Sequence, residues 1–383
     1  MMEVTRLKKE DCKKLVAFLD QVFTLQNGHQ MDFDGAYPRI FQEKDENMGW
    51  YYGVKEDGRI IGTAASHPLT YRVGDISLKV SAGGNVAVHP DCRNRGIMQL
   101  LLHRINQDLA AEGYDFAYLH GDRKRYRTFG FEKCGIEYLV YFTPSMLKKE
   151  GCTADVTLRE LRKKDVPAAM ALSKHQYSGL VWEEEDFFPA QIAHKNHPLG
   201  IFREKTLVGY VSLDVPGAYL AELVLKNPAD LGSVLAAVCD YVGGKTLVIR
   251  LPAYEKDLLR QAIPLSGRYN IIQPANFQIL RFDRVLTAFL QAKASYAPLA
   301  DGSLTLDTEL FGKWAVTCKH GKAEVSPSEN PADLFLPGFR AYEFLFGPNA
   351  PFLAEVDTTA LTAEQAQLVQ NWFPLPLFCP HLA

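Results

Sequence analysis

Two short stretches of this sequence combine residue types at spacings that suit chemistry. The first is Asn85-Val-Ala-Val-His-Pro-Asp-Cys-Arg-Asn-Arg-Gly-Ile-Met98. An apolar strand ends at Val88, His89-Pro90 breaks it, and a basic turn containing Gly96 opens a helix predicted over 94–112. A helix start is intrinsically an anion site, because its first N–H groups lack partners and its dipole is positive there. Gly96 lets a diphosphate approach the main chain with no β-carbon in the way, and Arg93 and Arg95 add positive charge. A Walker-type loop is excluded because no Gly-Lys-Ser/Thr follows, and a dinucleotide fingerprint because Gly-x-Gly is missing. Coenzyme A carries both a diphosphate and a long arm whose amides suit a splayed strand such as Val86-Ala87-Val88. The second stretch is His120-Gly-Asp-Arg-Lys-Arg-Tyr126-Arg-Thr-Phe-Gly-Phe131, in which a tyrosine stands just before an aromatic–glycine–aromatic corner.

Val88-His-Pro-Asp-Cys-Arg93-Asn-Arg-Gly96-Ile resembles the acetyl-CoA motif of the GNAT superfamily, usually written Arg/Gln-x-x-Gly-x-Gly/Ala. The order strand, loop, helix, strand matches as well. The last motif position is Met98, and a bulky residue there is usual in the enhanced-intracellular-survival (Eis) type acetyltransferases. The resemblance implies an α+β (α/β) chain of three parts. These are a mixed-sheet catalytic GNAT domain over 1–150, a degenerate GNAT domain without a cofactor site over 151–283, and a sterol-carrier-like α+β domain over 284–383. It implies that Val86, Ala87, Val88, Arg93, Asn94, Arg95, Gly96, Ile97, Met98 and Gln99 hold acetyl-CoA as co-substrate, with no metal.

Tyr-x-x-Phe-Gly-Phe resembles the corner that closes the GNAT cofactor site, which implies that Tyr126 stands beside the thioester sulfur. A phenol with a pKa of about 10 is protonated at neutral pH and can donate as the thiolate departs. The plainer role of such a residue is packing, with its hydroxyl bonded to the backbone. His120 and Asp122 are weaker candidates, since a lone histidine at a strand end is more often structural. For the general base the resemblance implies the terminal carboxylate, here that of Ala383, although the family usually ends on an aromatic residue. A frayed terminus is the competing expectation.

These groups must be positioned by regular elements. Residues 9–23 place apolar side chains at helical spacing, and Gly53–Gly62 (GVKEDGRIIG) signals a hairpin about Asp57-Gly58. Residues 77–88 form a strand element, Gly113 stops the 94–112 helix, and 116–120 is a short buried strand. Val4–Asp11 is echoed by Leu158–Asp165, and Gly53–Gly62 by Gly200–Gly209 (GIFREKTLVG), in the same order. The two echoes favour a duplicated domain. At the place of the cofactor loop the second copy reads Glu222-Leu-Val-Leu-Lys-Asn-Pro-Ala-Asp-Leu-Gly-Ser233, without the arginines. It is expected to shape the substrate cleft. From about Asp283 the texture shifts. A helix is predicted over 285–292 and strands over 304–306, 313–319 and 322–325; further, mostly helical pieces follow at 332–336, 342–346 and 363–372.

The 383 residues exceed what one core usually serves, and 23% charged residues with a net charge of −3 describe an ordinary globular chain. Mixed acids and bases speak against sequence-independent nucleic-acid binding. Seven scattered cysteines without a Cys-x-x-Cys pair suggest neither a disulfide frame nor zinc. No secretory leader or membrane-length apolar run is visible, so a cytoplasmic protein is expected, and the resemblance implies a homo-oligomer, trimer or hexamer.

A small cationic amine, aminoglycoside- or polyamine-like, is the expected acceptor. Its ammonium groups would seek acids such as Asp32, Asp34 or the Glu183–Asp186 run, with Trp182, Phe187 and Phe188 nearby. Such a run more often forms a solvated surface. Two alternatives remain: a protein lysine or N-terminal acetyltransferase, and a non-catalytic protein that binds acyl-CoA or an apolar ligand.

Overall fold

The computed structural model of the chain describes residues 2–349 and 351–378. The Cys12–Asn27 helix buries Cys12, Leu15, Phe18, Leu19 and Val22, and ends at Gly28 with φ 73°. Both echoes have matching local structure. Asp11 accepts from the Lys8 N–H and takes Lys55 Nζ at 2.7 Å. Asp165 accepts from the Arg162 N–H and takes Arg159 at 2.8 Å. Asp11 thus ties the Tyr51–Glu56 strand to the start of the Cys12–Asn27 helix, and Asp165 the Thr157–Glu160 strand to the start of the Val166–Lys174 helix. The two hairpins turn through positive-φ residues, Asp57 (49°) with Gly58 (76°), and Glu204 (55°).

Among the described residues three mixed sheets form. The first runs in the order Val4–Arg6, Tyr51–Glu56, Arg59–Val73, Ile76–Val88, Phe116–Leu119, Ala275–Ile279 and Glu132–Cys134, with Ser178–Leu180 added to Arg59–Val73. The second runs Arg268–Ile272, Glu137–Phe142, Leu247–Pro252, Tyr219–Leu225, Thr206–Asp214, His197–Arg203 and Thr157–Glu160. In each, one parallel pair is joined through a helix: Ile76–Val88 to Phe116–Leu119 by Ile97–Ala111, and Tyr219–Leu225 to Leu247–Pro252 by Leu231–Tyr241. The third sheet holds Lys322–Pro327, Gly312–Lys319, Gly302–Thr308 and Leu334–Leu336.

Two strands cross the expected junction at residue 150. Glu137–Phe142 lies in the second sheet, and Ala275–Ile279 returns to fill the gap between Phe116–Leu119 and Glu132–Cys134 in the first. Residues 332–336, expected to be mostly helical, instead include the Leu334–Leu336 strand, parallel to Leu306–Thr308. A short apolar run does not reveal its period, and here the neighbouring strand decided.

One face of the first sheet is covered by the Ile97–Ala111 helix. The opposite face packs against the Cys12–Asn27 helix around Tyr51, Ala65 and Ala87, and farther along shares a core with the Phe282–Ala294 helix and the C-terminal unit, through Phe116, Phe277, Phe289 and Trp372. No helix of the described residues is long and apolar enough to cross a membrane.

Because Phe277 is fully buried in a strand supplied from beyond residue 270, a fragment ending at residue 150 is expected to stay unfolded. A well-dispersed amide proton spectrum from that fragment would contradict this exchange of strands.

Candidate functional site

Pairing between the parallel strands runs from Val80 with Phe116 to Gly83 with Leu119 and then stops. Ile76–Val88 continues alone. On its other side Gly84 faces Ala65 and Ala87 faces Thr63, so Asn85 and Val86 together oppose Ala64. This is a β-bulge, and Asn85 takes φ 51° to make it. The bulge turns the strand away from Phe116–Leu119 and opens a backbone edge that amides of a ligand can pair with. Val86 and Val88 are half-buried beside Leu101 and Ile105, while Ala87 points to the opposite face.

Asn94 (φ 61°) and Gly96 (φ 74°) both lie in the left-handed region, and the helix begins at Ile97, not Asn94. Its first internal bond is Leu100 N–H to the Gly96 carbonyl at 3.1 Å, which leaves the N–H groups of Ile97, Met98 and Gln99 as the open donors of the first turn. The Ile97 side chain is buried under Gly62, so this residue can offer a ligand only its backbone. Arg93 is exposed, with no ion pair among the described residues, and Gln99 is exposed as well. Arg95 differs from expectation. It is held by Glu56, Nη2 to Oε1 at 2.7 Å, because the 56–59 turn lies across the loop, and part of its charge is spent there.

Tyr126 lies on the short Arg123–Arg127 helix, which Asp122 caps by accepting the Arg125 N–H at 2.7 Å. Its carbonyl accepts from Phe129 and Phe131, which makes the aromatic corner. A β-carbon at Gly121 (φ 151°) would stand 2.5 Å from the tyrosine ring. The exchanged strand supports this loop: Asn276 Nδ2 donates to the Leu119 and Gly121 carbonyls, and Gln278 Nε2 to that of Phe129. The ring is buried, yet the hydroxyl has no hydrogen-bond partner among the described residues. Burial pushes the phenol above its usual range, and the Arg125 charge opposes this.

A cavity of about 940 Å³ begins where the strands part, and Gly83, Asn85, Val86 and Tyr126 line that end. Phe33, Tyr37 and His67 form its wall in the first half of the chain, while His194, Asp214, Tyr219 and Arg250 come from the second sheet and its loops. His67 is buried, with Nε2 3.4 Å from Asn85 Oδ1. Burial, and then the Arg39 charge, bring its pKa down to about 3. Local sequence patterns gave no signal for His67, Asp214, Tyr219 or Arg250, because only the packing of one sheet against the other brings them together.

The acids proposed for the acceptor are placed elsewhere. Asp32 pairs with Lys195 at 2.6 Å. Glu184 and Glu185 line a separate surface pocket with Lys163 and Phe188. Ala383 lies outside the described residues. The chain leading toward it packs where the edge strand Glu132–Cys134 of the first sheet passes into Glu137–Phe142 of the second, and there the Leu377 carbonyl accepts the Ile136 N–H at 2.9 Å.

In the second sheet, the start of the Leu231–Tyr241 helix is covered by the chain itself. Asp155 accepts a hydrogen bond from Ser233 Oγ and donates its own N–H to that atom at 2.9 Å. A β-carbon on Gly232 would stand 3.0 Å from Cys152 Sγ.

Residues 3–134 match the family model of the acetyltransferase (GNAT) domain. Among curated proteins none matches the sequence. Solved structures of similar fold include a GCN5-related N-acetyltransferase from Anabaena variabilis, with TM-score 0.71, 14% identity, and coverage of 99% of this chain and 98% of that one. A GCN5-related N-acetyltransferase from Kribbella flavida has TM-score 0.66 and 18% identity over 90% and 89% of the two chains. Eis1 from Mycobacterium abscessus has TM-score 0.64 and 14% identity over 98% of each chain. At these identities the likeness concerns the fold. The domain match makes residues 3–134 an acetyl-CoA-dependent acyltransferase domain of the GNAT type.

Gly121→Ala is expected to push the Tyr126 ring from its place and lower kcat by roughly 10- to 100-fold, as a displacement near 1 Å can. Steady-state kinetics beside a melting curve checks this. Unchanged kcat in a folded variant would mean that the position of Tyr126 is irrelevant.

Proposed function

We propose that the chain is an N-acetyltransferase that moves an acetyl group from acetyl-CoA to a primary amine by direct attack, with Tyr126 protonating the leaving thiolate. One observation carries this reading. Tyr126, whose hydroxyl has no partner among the described residues, lines the same cavity as the bulged strand edge at Gly83–Val86.

The residues present suit the co-substrate. The open N–H groups of Ile97, Met98 and Gln99, with Gly96 and Arg93 beside them, are built for a diphosphate. The free edge of Gly84–Val88 suits the amides of the pantetheine arm. The amine nitrogen bonds to the thioester carbon, the C–S bond breaks, and sulfur takes the Tyr126 proton while nitrogen yields one to a base or to water. Tyr126 then recovers its proton from solvent. Ala383 remains the family-implied base.

The same reading takes 151–283 as a degenerate GNAT domain and 284–383 as a sterol-carrier-like unit, in a homo-oligomeric cytoplasmic protein. Support for the second part is its like-placed parallel pair and helix, with the helix start covered by Asp155. An aminoglycoside- or polyamine-like acceptor has less support, since Asp32 is paired with Lys195 and Glu184 and Glu185 line another pocket.

Thiol release from acetyl-CoA should fall about 100-fold or more in Tyr126→Phe, the range for loss of a general acid. Acetyl-CoA binding should be kept. A raised phenol pKa keeps the donor form present to higher pH, so loss of the donor should begin only above about pH 10. Full activity of Tyr126→Phe, or a donor limb centred near pH 8, would remove Tyr126 from the mechanism.

A further inference from the structure

Aromatic rings build one wall of the cavity. Phe23 and Phe33 have centroids 5.2 Å apart, and Phe33 stacks on Tyr37 at 5.9 Å. The wall is held open from the second half of the chain: the Tyr37 hydroxyl meets His194 Nδ1 at 3.2 Å, and Lys195 clamps Asp32. It is therefore formed before a ligand arrives.

The charges lining the cavity do not favour a polycation. Two acids, Asp122 and Asp214, face two guanidinium groups, those of Arg125 and Arg250. Asp122 is engaged in capping its helix and Arg250 is paired with the buried Glu137 at 3.7 Å, which leaves Asp214 opposite Arg125. Behind the wall lies Arg39, only 4% exposed, between the rings of Trp50 and Trp182 at 5.5 and 5.1 Å. Among the described residues no carboxylate lies within ion-pair distance of it, and the Asp186 charge, acting from farther off, offsets it only in part. Its field reaches His67 on the cavity wall and opposes protonation there. An ammonium group next to His67 would meet the same opposition, whereas a free amine, the form that attacks a thioester, would not.

We propose that the acceptor is a small monoamine on an aromatic body, an arylalkylamine in chemical class, whose ring lies against Phe33 and Tyr37. This rests on the acetyl-transfer reading above and adds the substrate class. An aromatic body fits the ring wall in offset or edge-on contact. A single amine avoids bringing further positive charges into a cavity with Asp214 as its one uncommitted carboxylate.

The test measures thiol release from acetyl-CoA by the full chain with 2-phenylethylamine, spermidine and kanamycin. The kcat/KM for 2-phenylethylamine should exceed the other two by about 10-fold or more, and Phe33→Leu and Tyr37→Leu should each raise its KM roughly 10-fold with kcat nearly unchanged. Preference for spermidine or kanamycin, or a KM untouched in both folded variants, overturns the substrate class and leaves acetyl transfer standing. No release with any amine, while acetyl-CoA still binds by calorimetry, overturns both.

Discussion

Two parallel strands cannot remain paired once one of them takes in an extra residue and bends. That constraint organises this protein. The Asn85–Val86 bulge costs the first sheet several ladder hydrogen bonds beyond Gly83, and the freed backbone groups need partners from elsewhere. The cavity and the loop carrying Tyr126 meet at the resulting gap. A sheet without the bulge would close it, and no side chain in the neighbourhood could restore a binding edge.

Electrostatics act on the same gap from behind. Arg39 is buried against two tryptophans, which offer the negative faces of their rings, while Asp186 acts on it only from beyond ion-pair distance. Such a cation is only partly compensated, so its influence extends through the wall to His67. The interior of the cavity is thereby biased toward uncharged groups, while the loop at Arg93, outside, favours anions.

Much of this was legible in the sequence wherever the determinants are local. Gly96 before an apolar-periodic helix, the Asp57-Gly58 turn and the aromatic corner after Tyr126 each follow from short-range chemistry. What stayed hidden depends on partners far along the chain. Arg95 reads as a phosphate ligand until the 56–59 turn brings Glu56 to it. The Leu334–Leu336 segment becomes a strand because Leu306–Thr308 lies beside it. His67 and Asp214 carry no motif, since only the meeting of two sheets puts them in one cavity. The same holds for Ala275–Ile279, which no local signal marked and which becomes a strand between Phe116–Leu119 and Glu132–Cys134.

That last strand has a consequence for synthesis. A ribosome making this chain releases nearly the whole first sheet long before residue 275 emerges, and until then Phe116–Leu119 and Glu132–Cys134 have nothing between them. Unpaired strand edges invite wrong partners. The nascent amino-terminal half must therefore wait, incomplete, while more than one hundred further residues are added, and its survival in that interval depends on the cell's holding chaperones as much as on its own packing.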